Sequence, residues 1–100
     1  MTTARQTIID LYDMDQLNDI AYHGCVSGCA GHHIYTSDCI DFYNNHQDEI
    51  DEYIIDSLGI DSVMELTANC DDIRHAMNKL CWIYIELLAQ ELTVGLLQAA

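Results

Sequence analysis

From Ile73 to Leu92 the apolar residues Ile73, Met77, Leu80, Cys81, Tyr84, Leu87, Leu88 and Leu92 recur at three- and four-residue intervals, and no proline occurs anywhere in the chain. That period places them on one stripe of an α-helix of about five turns. Asp71 and Asp72 stand where an N-cap and a first-turn acid belong, and Gly95 is placed to end the helix. Trp82, Ile83 and Ile85 lie off the stripe, so the middle of the helix is apolar nearly all round. A helix of that kind is either central to its own fold or half of an oligomer interface. The second outcome is a symmetric homodimer across this helix, with Trp82 and Ile85 meeting their copies.

The rest of the chain carries the same period. Ile50, Tyr53, Ile54 and Leu58 make one face of a helix over Gln47 to Leu58, and Gly59 sits where a left-handed residue would end it. Two shorter helices are expected: Ser37 to Asn44, capped by Thr36 or Ser37, and Ser62 to Thr67, capped by Asp61. Ile8, Leu11, Leu17, Ile20 and Ala21 predict one N-terminal helix, or two broken near Asp13 to Asp15, stopping at Gly24. No period-2 run is long enough for a strand. The expectation is all-α: one domain over residues 1–100, a compact bundle of four to six helices with a long C-terminal helix.

Charge separates this chain from an ordinary small bundle. Between Asp38 and Asp72 there are eleven carboxylates and no Lys or Arg, and the net charge is −14. Half the residues are apolar, which excludes an acidic disordered tail. Glu86, Gln90 and Glu91 interrupt the most apolar stretch, Leu80 to Leu97, which excludes a membrane span there. No basic region followed by an apolar run opens the sequence, so a soluble, cytoplasmic protein is expected. The five cysteines are an odd number, and reduced thiols are the default, with Cys39, Cys70 and Cys81 filling the core.

The segment from His23 to His33 holds three of the five histidines, together with Cys25 and Cys29 and three glycines. Zinc takes four such ligands in a tetrahedron, and His23, Cys25, Cys29, His32 and His33 could supply them. A Cys25–His23 nucleophile pair is a further alternative, although no orienting acid can be placed beside it. The plainer reading gives the glycines to turns or close helix packing, the thiols to the core and the imidazoles to caps or solvent.

His23-Gly24-Cys25-x-Ser27-Gly28, followed by Ile34-Tyr35-Thr36-Ser37-Asp38, then Asp41-Phe42-Tyr43 and Glu49-Ile50, resembles a family of small phage-encoded proteins of uncharacterised function. The resemblance covers about Leu17 to Ile54, and the hexapeptide is its specific part. Cys29, His32 and His33 fall outside the shared pattern, which argues against zinc. The resemblance implies a phage or prophage origin and, by analogy with other small acidic phage proteins, inhibition of host defence in the host cytoplasm.

An acidic helix face usually does no more than keep a small protein soluble. Solubility needs only a modest charge of mixed sign, whereas half of this chain is single-signed. Self-repulsion of that kind costs stability in the compact state. The expectation is therefore an anti-CRISPR-like inhibitor that binds no nucleic acid itself, is no enzyme and needs no cofactor. Its partner is a host protein with a basic, nucleic-acid-binding groove, met by Asp48, Glu49, Asp51, Glu52 and Asp56, with Asp41, Asp61 and Glu65 extending the face. The alternatives are a zinc- or cysteine-dependent protein centred on His23, Cys25 and Cys29, and an acidic regulatory module.

Overall fold

The structure is a computed structural model describing residues 2–23 and 36–99. Among these residues the order is α1 (Ala4–Leu11), α2 (Met14–His23), α3 (Thr36–Asn45), α4 (Gln47–Leu58), α5 (Met64–Thr67) and α6 (Ile73–Ala99), with no strand. The long C-terminal helix is the axis of the fold: α2, α3, α4 and α5 all pack against it. Its Cα radius of gyration, 13.1 Å, is that of a compact chain of this length. No helix among the described residues is long and apolar enough to cross a membrane.

Local rules account for most of the helix ends. At α6, Asp72 is the cap, its Oδ1 accepting the His75 N–H at 2.8 Å. Gly59 closes α4 with φ at +67°, the left-handed region where a side chain is strained. The N-terminal segment is two helices. Asp13 Oδ1 accepts the Gln16 N–H at 2.8 Å and Gln16 Oε1 accepts the Asp13 N–H at 2.9 Å, a reciprocal pair that starts α2 and forces the break.

Other ends depart from expectation. The long helix runs through Gly95 to Ala99, since one glycine costs a helix only about 1 kcal/mol. Thr36 lies inside α3 rather than at its cap. Asp61 does not cap α5: its own N–H and that of Ser62 are donated to Glu65 Oε2, at 3.0 and 3.3 Å, while Ser62 Oγ accepts the Met64 N–H.

The core joins every long helix. Ile8, Tyr12, Leu17, Ile20, Cys39, Phe42, Ile50, Ile54, Leu80, Cys81, Tyr84, Ile85 and Leu88 are all buried in one cluster. Cys39 and Cys81 act there as small apolar side chains, and Cys70 is half-buried. Leu11 is exposed and Tyr12 buried in its stead, because the break after α1 turns the chain before Leu11 can face inward.

Of the two residues behind the homodimer expectation, Ile85 needs no partner to be covered. Ile85 is completely buried inside the single chain, and Trp82 is half-buried against the same core. Helices α2, α3, α4 and α5 all pack against α6, and within one chain they cover Ile85 wholly while Trp82, Ile83 and Leu87 stay half-buried.

Candidate functional site

The carboxylates of the base-free segment divide by what their neighbours do with them. Asp48, Glu52 and Asp56 are exposed at i, i+4 and i+8 on α4, so they form one outward row. Asp41 is exposed on α3 and Asp61 on the connection after α4. Of the other three acids predicted for the face, Glu49 and Asp51 are half-buried, and Glu65, although exposed, is bonded into its own turn. Glu49 accepts the Ala4 N–H at 2.9 Å through Oε1 and the Arg5 N–H at 3.1 Å through Oε2. It is an N-terminal cap for α1 supplied from another helix, at the positive end of the helix dipole. Glu65 closes the turn before α5. Asp51 is half-buried and accepts the Tyr43 O–H at 2.7 Å.

Arg5 also pairs with Glu91 on α6 at 2.6 Å, both side chains nearly half exposed. Together with the Glu49 clamp this fixes α1 across α4 and α6. Tyr53 ties the same pair of helices, donating its O–H to the Leu87 carbonyl at 3.4 Å.

Asp51 has the most perturbed surroundings of the acidic set. Burial pushes its carboxyl above the usual range, the Asp48 charge pushes the same way, and the Tyr43 hydrogen bond opposes both. Tyr43 in turn is raised far above an ordinary phenol, first by burial and then by Asp51. The folded chain therefore holds the Asp51 proton more tightly than the unfolded chain does. Its ionised form costs stability at neutral pH, and acidification through the raised value restores that stability down to the ordinary carboxylate range. Asp51→Asn, which keeps an acceptor for Tyr43, should be slightly more stable than the parent at neutral pH, by at most about 0.5 kcal/mol because solvent screens a half-exposed carboxylate. The advantage should vanish near pH 4, where the unfolded carboxyl also protonates. Denaturant melts at several pH values check this, and a variant less stable at neutral pH contradicts it.

Asp51 also marks one end of a feature the sequence did not disclose. A groove of about 290 Å³ runs between the α3–α4 corner, α5 and the first half of α6, lined by Tyr43, Asp51, Val63, Met64, Ile73 and Met77 among others. Met64 and Ile73 are 74% and 72% exposed. The Ile73 period had assigned it to the core stripe, but the first residue of α6 lies beyond the helices that cover the rest. The available signal was α5 itself, a single turn too short to bury both Met64 and Leu66.

Residues 24–35 lie outside the described residues, and with them Cys25, Cys29, His32 and His33; nor is the His23 side chain described. Among the described residues no group of three or more His, Cys, Asp or Glu side chains is arranged to hold a metal ion.

Residues 9–98 match the family described as a domain of unknown function, DUF7222. The chain belongs to the DUF7222 family. The DUF7222 match takes in α2 to α5 whole and nearly all of α6, so the α4 row and the groove both fall inside it. The clamp of Glu49 on Ala4 and Arg5 and the Arg5–Glu91 pair both reach outside DUF7222, to residues before the match. No curated protein and no solved structure matches the chain.

Proposed function

We propose that this chain is a phage-type inhibitor of host defence that acts by binding, without chemistry of its own, to the basic nucleic-acid-binding surface of a host effector. The observation that carries the reading is the outward row Asp48, Glu52 and Asp56 in a segment with no Lys or Arg. Residues four apart on a helix rise about 6 Å. Alternate phosphates of one B-DNA strand are about 6.8 Å apart along the axis. A rigid helix edge with carboxylates at that interval can occupy Lys and Arg side chains that otherwise hold a phosphate backbone. The net charge of −14 adds long-range steering toward such a surface. Asp41 and Asp61 extend the negative face; Glu49 supports it by holding α1, and the exposed Glu65 by closing the turn before α5. The resemblance of residues 17–54 to small phage proteins supports a host effector as the target class.

The row itself supplies the test. The triple variant Asp48→Asn, Glu52→Gln, Asp56→Asn removes like-charge repulsion at i, i+4 spacing, so it should fold at least as stably as the parent. It should nevertheless lose about tenfold or more in affinity for a partner captured from host lysate. Parent binding should weaken at least about tenfold between 50 and 200 mM salt, and added duplex DNA should compete. A partner indifferent to salt, to DNA and to the triple variant rules the reading out.

A further inference from the structure

The α4 row does not use the groove beside it. Its wall is apolar, built by Val63, Met64, Ile73 and Met77, and its polar end is the Tyr43–Asp51 pair. Two of the four wall residues are among the most exposed large apolar side chains of the described chain. At about 290 Å³ the groove lies at the lower limit for small-molecule sites, a size suited to one or two protruding side chains. Asp51 is the one carboxylate or base among its lining residues, and it is already half-buried. Asp48 adds to the negative potential there, since its charge is felt at both Tyr43 and Asp51.

We propose that this groove docks a partner segment presenting an apolar side chain next to a lysine or arginine, the apolar group seated against Met64, Ile73 and Met77 and the cation paired with Asp51. The sign of the charge selects this occupant over the other obvious one, a second copy of the chain. Two bodies each carrying −14 repel, and a second copy brings to Asp51 a surface from a chain with three bases against seventeen acids. A cationic, apolar segment relieves both defects of the empty groove at once, covering Met64 and Ile73 and neutralising Asp51. Docking of this kind is local and oriented, unlike general attraction to an acidic body, because the cation and the apolar anchor must fit together. It does not require the outward row on α4 to contact the same partner.

The experiment uses the full chain with methyl-labelled methionine and isoleucine. The probe is a short amphipathic peptide with leucine on one face and arginine on the other, titrated at physiological salt and followed by NMR. Saturable shifts should appear at Met64, Ile73 and Met77. Asp51→Asn should weaken binding about fivefold or more, and the double variant Met64→Ala, Ile73→Ala about tenfold or more. Both variants alter exposed or half-buried positions, and their circular dichroism should match the parent. The double variant Glu52→Gln, Asp56→Asn, which keeps Asp48, should change this affinity less than about threefold, which separates failure of the groove from failure of the row. Shifts spread over the acidic surface with none at the three methyls overturn the proposal. So does equal binding of the peptide with each arginine replaced by glutamate, or an unchanged affinity in Asp51→Asn. Sedimentation of the parent completes the test: a dimer that the Met64→Ala, Ile73→Ala variant dissolves means the groove seats a second copy, which also overturns it.

Discussion

Tyr84→Ala should lower the unfolding free energy by about 3–5 kcal/mol, a large part of the total of about 5–15 kcal/mol that holds a domain of this size folded. Tyr84 is buried to 2% exposure at the middle of α6. Its ring meets Tyr53 of α4 edge-on, with centroids 5.3 Å apart, and Phe42 of α3 at a tilt, with centroids 6.3 Å apart. Removing it opens a cavity at the point where three helices converge, and the aromatic contacts are lost in addition to the buried area. Neighbouring rings on separate helices cannot collapse into the space without moving those helices. Urea unfolding followed by far-UV circular dichroism measures the loss. Met64→Ala, at a 74% exposed position, is the matched control and should stay within about 0.5 kcal/mol of the parent. A Tyr84→Ala chain within about 1 kcal/mol of the parent would show that α6 is not the centre of the core.

The second largest effect is expected from an acid that looks like surface. Glu49→Ala should cost about 1–2 kcal/mol, whereas Glu52→Ala, three positions along the same helix, should be neutral or slightly stabilising. Glu49 receives the N–H groups of Ala4 and Arg5, and Thr3 Oγ1 receives that of Gln6 at 3.1 Å. Helix α1 thus begins with its first three N–H groups satisfied, two of them by a charge from α4. Without Glu49 those two donors lose their partners and the helix dipole loses its counter-charge. Because Ala4 and Ile8 are the residues α1 buries, the damage should be local. Amide hydrogen exchange should accelerate across α1 while the middle of α6 stays protected. Uniform acceleration in both helices would contradict the clamp. The contrast matters for function, since a Glu49 substitution that weakens partner binding reports on α1 before it reports on the acidic face.

These two residues show where reading along the chain stops. The 3.6-residue period, the absence of proline and the cap residues determined an all-α chain and the limits of α4 at Gln47 and Leu58, with Gly59 beyond. They are local properties: a period, a turn residue and a cap act within one helical turn of the residues that carry them. The sequence also determined the negative face, since a stretch without bases is negative however it folds. It did not determine what each carboxylate does. Glu49 and Glu52 are indistinguishable in composition and lie on the same helix, yet one caps a helix forty-five residues upstream and the other is exposed to solvent. That difference is set by where α1 lands, which no local rule specifies. Ile85 and Ile73 make the same point for the core. Both are isoleucines of α6, and the period favoured Ile73 for burial; the packed helices bury Ile85 completely and leave Ile73 72% exposed. Burial depends on which neighbours arrive, and where α2, α3, α4 and α5 arrive along α6 is a property of the tertiary structure alone.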